Sequence, residues 1–324
     1  MKNRYVALAF AISVFAGSIQ SAHACTSPEN SQLYAAISSD IDDIFYNRPK
    51  RLHERGVLSD AFLASIEGVE LKICDDARYD ARVGGDGSVV ILDVGFVEVM
   101  FFGSASLIVG QFLNSQSDQV GVLDLFEAWH IQSIPLLAER EMSLPFFMDV
   151  ASKLLGTTVD LSKYPPNRNL NFDIAGPFVH ALGFILNHEV CHIALGHIDE
   201  IRNPNVAVPI TRRSEMEQEA DICAIEMVNR DEEAVGGVPG LNLLGAAAAL
   251  GMRIALEARQ ETDGKLIREI TAHLKPAERL DILAKAIFDD LDRRGLDSPI
   301  TRSTLQGVIH SSKLIAQQVV GDQN

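Results

Sequence analysis

The stretch that most constrains this chain is Phe184-Ile-Leu-Asn-His-Glu-Val-Cys-His-Ile-Ala-Leu-Gly-His197, because it carries His188-Glu189-x-x-His192 inside an apolar run. The apolar residues from Phe178 onward, with Gly196 behind them, predict one helix that stops at the glycine. Residues four apart lie one turn apart on the same helix face, so both imidazoles reach one ion. Glu189 lies about 100° round from His188, close enough to hold a water without being a ligand. Two neutral nitrogens that grip zinc, and a carboxylate that takes a proton from water, are the parts of zinc-assisted hydrolysis. The competing account is two ordinary helix histidines in a short pattern match. Against it stands the apolar helical setting, which is the context the pattern requires.

The N-terminus carries an address. Lys2 and Arg4 precede an uncharged run from Tyr5 to Ile19, and Ala22-His-Ala24 follows as a small-x-small cleavage site. The apolar core is too short for a membrane anchor, so residues 1–24 read as a signal peptide removed after Ala24. A lipoprotein signal at Cys25 is the rival; His23, and Ala22 in place of a leucine, argue against it. The mature protein is expected in the periplasm or outside the cell. The formal net charge is −16, and more negative once Lys2 and Arg4 leave. So acidic a chain repels nucleic acid and anionic lipid surfaces. The longest later apolar stretch, Val99 to Leu113, carries Gly, Ser and Gln and falls short of a span, so it is assigned to the core and no transmembrane segment is expected in the mature chain. Oligomeric state is not legible.

Along the chain, Gln32 to Phe45 has a helical apolar period, and Arg51 to Ile66 continues as helix broken at Gly56. Glu70 to Cys74 is a candidate strand. Gly84-Gly-Asp-Gly87 marks a turn ahead of the β-branched run Ser88 to Asp93, which predicts a hairpin. Val94 to Leu113, Gly121 to His130, Ile131 to Glu141 and Leu144 to Leu155 read as helices, and Tyr164 to Asn171 as a loop. After the motif helix, Arg202 to Arg213 reads as loop. Ser214, with Glu217 three residues on, then looks like a capping box opening a helix to Val228. Gly236 to Gly240 stops the chain, Leu241 to Ala258 is a small-residue helix, and Pro276 to Leu291 and the tail from Asp297 are helical. The expected fold is α+β, helix-dominated, with one small sheet or hairpin and an active-site helix. Residues 25–324 form a single domain, with 94–173 as a helical insertion and 292–324 as a helical tail.

Zinc held by two histidines needs a third protein ligand and an open position for water. His197 follows His188 by nine residues, one short of the spacing that uses a third histidine, and so reads as a polar helix-end residue. The cluster Glu215, Glu217, Glu219, Asp221 is the stronger source, although carboxylates also favour a helix start without any metal. Glu217 and Asp221 share a face, with Ala220 and Ala224 leaving room for another helix. If Glu217 binds the ion, helical geometry turns Glu215 and Glu219 towards solvent. Of the cysteines, Cys25, Cys74, Cys191 and Cys223, none has zinc-knuckle spacing. Cys191 and Cys223 lie on two helices that meet if they share an ion, so a bridge between them is one outcome and unpaired buried thiols the other.

These residues resemble the gluzincin metallopeptidases of the CaaX-protease, HtpX and BepA type. Glu217-Gln-Glu-Ala-Asp221 matches that family's Glu-x-x-Ala-Asp, and His273-Leu-Lys-Pro-Ala-Glu-Arg279 keeps its His-to-Arg spacing, with Pro at 276 rather than directly after the histidine. The resemblance implies a zincin-like catalytic domain that binds one zinc through His188, His192 and Glu217, with Asp221 orienting a ligand histidine. It implies Glu189 as general base, and His273 capping the zinc or joining Arg279 in stabilising the oxyanion. Ser88 to Asp93 would be the edge strand that pairs with substrate backbone. The expected activity is zinc-dependent endopeptidase cleavage of a polypeptide substrate. A non-proteolytic metal-binding or chaperone-like protein of the same fold is the alternative.

Overall fold

From Ala181 to His192 every residue is buried, so the helix that carries the motif has to be covered from all sides. A computed structural model of the chain describes residues 32–74, 81–84, 86–133, 144–203, 205, 207–235, 245, 248–249, 251, 276–295 and 299–321. The covering elements come from both ends of it. In order they are α1 (Gln32–Asp42), a π-helical turn (Asp43–Asn47), α2 (Arg48–Glu54), α3 (Asp60–Ser65), β1 (Glu70–Cys74), β2 (Ala81–Val83) and β3 (Val89–Asp93). Then follow α4 (Val94–Gln116), α5 (Asp124–Ser133), α6 (Leu144–Leu155), the motif helix α7 (Leu170–Ala194), α8 (His197–Arg202), α9 (Ile210–Val235), α10 (Pro276–Arg294) and α11 (Pro299–Gly321). The fold is α+β and helix-dominated, with one small sheet.

Helix α7 starts where the side chain of Asn169 accepts the backbone N–H groups of Asn171 and Phe172, satisfying donors that the first turn leaves open. It ends at Gly196, whose φ of 76° a β-carbon would strain. At Gly183 a β-carbon would come within 2.4 Å of Arg48 Nη1. The guanidinium of Arg48 is therefore pressed against the helix backbone, and its Nε bonds Asp231 of α9 at 2.8 Å. Both partners are buried, and Arg51 also reaches Asp231, at 3.2 Å; removing Asp231 strands the buried Arg48 charge and costs about 3–5 kcal/mol.

On another side α7 packs against α4, where Phe101 and Phe178 meet edge to face at 5.6 Å. Helix α4 is long and apolar enough to cross a membrane by length and composition, but 89% of its most apolar window is buried against the rest of the protein. Beyond α4 an aromatic group gathers Phe102, Trp129 and Phe147, with centroids 5.2–5.6 Å apart. Each such pair adds about 0.5–1.5 kcal/mol beyond its buried area.

The sheet has the order β1-β3-β2, with β1 parallel and β2 antiparallel to β3. The hairpin expected at Gly84–Gly87 forms between β2 and β3. The edge-strand assignment of Ser88 to Asp93 is corrected: β3 is the central strand. Val90 and Leu92 are fully buried, whereas the charges Glu70, Lys72 and Arg82 sit on β1 and β2. Charged residues belong on edges, where they blunt unpaired pairing surfaces. The start of α9 is also corrected. It begins at Ile210, directly after Pro209, so Ser214 lies inside the helix rather than capping it. The earlier start brings Arg212 onto the same helix as Glu215 and Glu219 and into contact with both.

Candidate metal centre

Helices α7 and α9 cross where the motif lies. Each contributes two residues four apart on one face: His188 and His192 from α7, Glu217 and Asp221 from α9. All four are buried. One ligand atom from each of His188, His192 and Glu217 lies within 4.8 Å of the other two. The two Nε2 atoms are 3.0 Å apart, and each is 3.4 Å from a Glu217 carboxylate oxygen.

What holds these groups comes from α9 itself and from two further elements, α8 and α10. Nδ1 of His188 lies 2.8 Å from Asp221 Oδ1. Arg279 of α10, itself 1% exposed, donates Nε and Nη2 to the two Asp221 oxygens at 3.1 and 2.9 Å. Its Nη1 reaches Glu217 Oε2 at 3.5 Å. Such a fork-to-carboxylate pair fixes geometry as well as charge. On the other side, Nδ1 of His192 meets Nδ1 of His197 at 3.0 Å. Nε2 of His197 meets Glu219 Oε2 at 2.8 Å, and Arg212 donates to the other oxygen of Glu219 at 2.8 Å and to Glu200 at 3.1 Å.

The field of the carboxylates decides the charge here. Burial pushes the pKa of His188 down, but Asp221 and then Glu217 outweigh it and raise it to about 9. Burial likewise pushes Asp221 up, yet Arg279 and His188 hold it down at about 2. The centre therefore favours a positive charge between α7 and α9. The donor set is two imidazole nitrogens and one carboxylate, with the Nδ1 atoms of both histidines engaged elsewhere, so their Nε2 atoms turn inward. That set fits a zinc-type divalent ion with one position left open.

Two contacts go beyond the sequence expectations. His197, expected as a polar helix-end residue, lies just past the end of α7 but is 0% exposed and contacts His192. The left-handed turn at Gly196 reverses the chain and brings it back under the ligand. Glu219 is half-exposed rather than fully solvated, because Arg212 and His197 hold it. No spacing rule reports either contact, since His197 and Glu219 are 22 residues apart and meet only through the crossing of α7 and α9. Glu189 is 4% exposed, one residue past His188. Arg279 reaches the carboxylates, as a buried group. His273 lies outside the described residues. Next to the ligands, Cys191 and Cys223 form a disulfide with 6.2 Å between Cα atoms; the bridge, not the thiol pair, is what forms, because the crossing brings both residues within bridging reach. Cys74 is disulfide-bonded as well.

Residues 159–284 match the family model of Peptidase U49. That stretch runs from just before α7 into α10, so it contains His188, Glu189, His192, Glu217, Asp221 and Arg279. It excludes the sheet and α4. The match supports a peptidase, the broader part of the likeness drawn from the motifs. No curated protein and no solved structure matches the chain.

A cleft of about 620 Å³ is lined by Phe45, Tyr46, Leu63, Val69 and Val190 among others. Val190 is about 200° round α7 from His188, and none of the ligands lines the cleft. It is separate from the metal centre.

Proposed function

We propose that the protein is a zinc-dependent metallopeptidase of gluzincin type, exported from the cytoplasm, that cleaves polypeptides in the cell envelope or outside the cell. The observation that carries this reading is the convergence of His188, His192 and Glu217 in a buried centre, inside the stretch that matches a peptidase family. Zinc held by His188, His192 and Glu217 would supply Lewis acidity for a hydrolytic water and for the scissile carbonyl. Glu189 takes the proton from the attacking water and returns it to the leaving amine. Asp221 orients His188, and Arg279 orients Asp221 and Glu217, so both act by positioning. His273 is assigned to the substrate side of the ion or to the oxyanion on resemblance alone.

Export is supported by the N-terminal charge-then-apolar pattern with cleavage after Ala24, lipid attachment at Cys25 being the rival. The disulfides support it independently, since such bridges persist in oxidising compartments. The test is metal analysis of purified mature protein, followed by casein digestion with and without chelator. About one zinc per chain and chelator-sensitive digestion are expected. Metal-free protein that still digests casein contradicts the reading.

A further inference from the structure

We propose that His197 and Glu219 form a relay that sets the tautomer of His192, and so decides whether its Nε2 is available as a ligand. The inference rests on the zinc reading for its purpose, but its geometry is independent of any ion.

The two ligand histidines are supported in different ways. His188 faces a carboxylate, Asp221, at 2.8 Å. A carboxylate only accepts, so the Nδ1 that faces it carries a proton, and the Nε2 of His188 is the nitrogen left to face the centre. His192 faces another imidazole, with Nδ1 to Nδ1 at 3.0 Å, and that contact works either way round. If His197 donates, the proton of His192 is driven to Nε2, and Nε2 cannot bind an ion. If His197 accepts, His192 keeps its proton on Nδ1 and offers Nε2.

The next contact resolves the choice. Nε2 of His197 lies 2.8 Å from Glu219 Oε2. The carboxylate demands a donor, which puts the proton of a neutral His197 on Nε2 and leaves its Nδ1 as acceptor. His192 must then donate from Nδ1. Arg212 holds Glu219 in place through Oε1 at 2.8 Å while anchored on Glu200. The chain Arg212–Glu219–His197–His192 thus runs from a half-exposed carboxylate to a ligand. His197 is not itself a third histidine ligand, because both of its nitrogens are engaged. It is a positioning residue, and Glu219 positions it.

The experiment has two arms on the full mature chain. In metal-free protein labelled with ¹⁵N-histidine, two-bond ¹H–¹⁵N spectra report which ring nitrogen carries the proton. The relay predicts His197 protonated at Nε2 in the parent and a mixed tautomer in Glu219→Gln. Parent His197 protonated at Nδ1 overturns the relay, whether or not zinc binds. The second arm measures zinc affinity by chelator competition. His197→Phe is expected to lose about 10–100-fold, and His197→Asn, which restores an acceptor near the position of Nδ1, to recover most of it. Glu219→Gln is expected to lose about threefold or more, on the scale of a weakened support of a ligand. Glu215→Gln, whose carboxylate meets Arg212 but not His197, keeps the parent affinity. Parent affinity in His197→Phe, or equal losses in Glu215→Gln and Glu219→Gln, overturns the relay. If His197→Phe does not fold, the half-exposed Glu219→Gln and the tautomer spectra decide the matter. Failure of the parent to bind zinc, with His197 protonated at Nε2, refutes the zinc reading and leaves the relay standing.

Discussion

Two regions of this molecule bury histidine, with opposite results. In the aromatic group around α4 and α5, His130 is 1% exposed, and its Nδ1 donates to the Phe126 carbonyl oxygen at 2.6 Å. Burial pushes its pKa down to about 4, the backbone bond opposing only in part. Between α7 and α9, His188 is just as buried but faces Asp221 and Glu217, and its pKa rises to about 9. The same desolvation acts on both rings; the carboxylates make the difference. One region excludes positive charge and serves as core, and the other stabilises it, as the proposed zinc centre requires.

The sharpest way to break this contrast is to remove the carboxylate that faces both ligand nitrogens. Glu217→Gln keeps the shape and deletes the charge, so zinc binding should fall by more than about 100-fold, beyond the usual loss for an indirect support, and hydrolysis should cease. Isothermal titration with zinc checks it; affinity near that of the parent would mean Glu217 is not a ligand.

Next in size is the disulfide that ties the two helices beside the ligands. Its loop of 32 residues implies a contribution of roughly 3–4 kcal/mol from restricting the unfolded chain. Cys191→Ser with Cys223→Ser should lower the urea midpoint accordingly and loosen zinc binding. An unchanged midpoint would show that the ion-pair network alone holds the crossing.

The apolar region gives a prediction in pH. His130 has a folded pKa of about 4 against an ordinary 6.5, so the unfolded state binds more protons between those values. The stability is present above pH 6.5 and is lost as pH falls towards 4, by roughly 2–3 kcal/mol at about pH 4.5. His180, also pushed down to about 4 by burial and then by Arg48, adds a loss of the same sign. His130→Leu should flatten the pH dependence of the urea midpoint over that window without altering zinc affinity. A profile as steep as the parent's would count against a buried neutral His130.

Smaller still is Asp221→Asn, which keeps the three ligand groups but weakens the hold on His188. It should cost about 10–100-fold in zinc affinity or activity, read by the same titration. A loss as large as that of Glu217→Gln would make Asp221 a ligand in its own right.

Much of this was legible in the sequence, because helical periodicity and spacing are local. The helix Leu144–Leu155 forms with the expected bounds, Gly196 ends α7, and the hairpin falls at the glycine turn. His188, His192 and Glu217 converge because each pair of α7 and α9 residues four apart shares a face. What failed was set by partners far away in the chain. That β3 is central depends on β1 pairing with it across the sheet, which no alternation pattern encodes. The capping signal at Ser214 lost to a start at Ile210, which puts Arg212 on α9 with Glu215 and Glu219. The helix-end position of His197 was legible, but its burial was not, because that depends on where α9 crosses.

The central claim is most directly tested by Glu189→Gln, which leaves the three ligand groups in place and removes the proposed base. The mature variant is expected to hold about one zinc per chain, as the parent does, and to show no casein hydrolysis above background. Full zinc loading with undiminished hydrolysis would contradict the account.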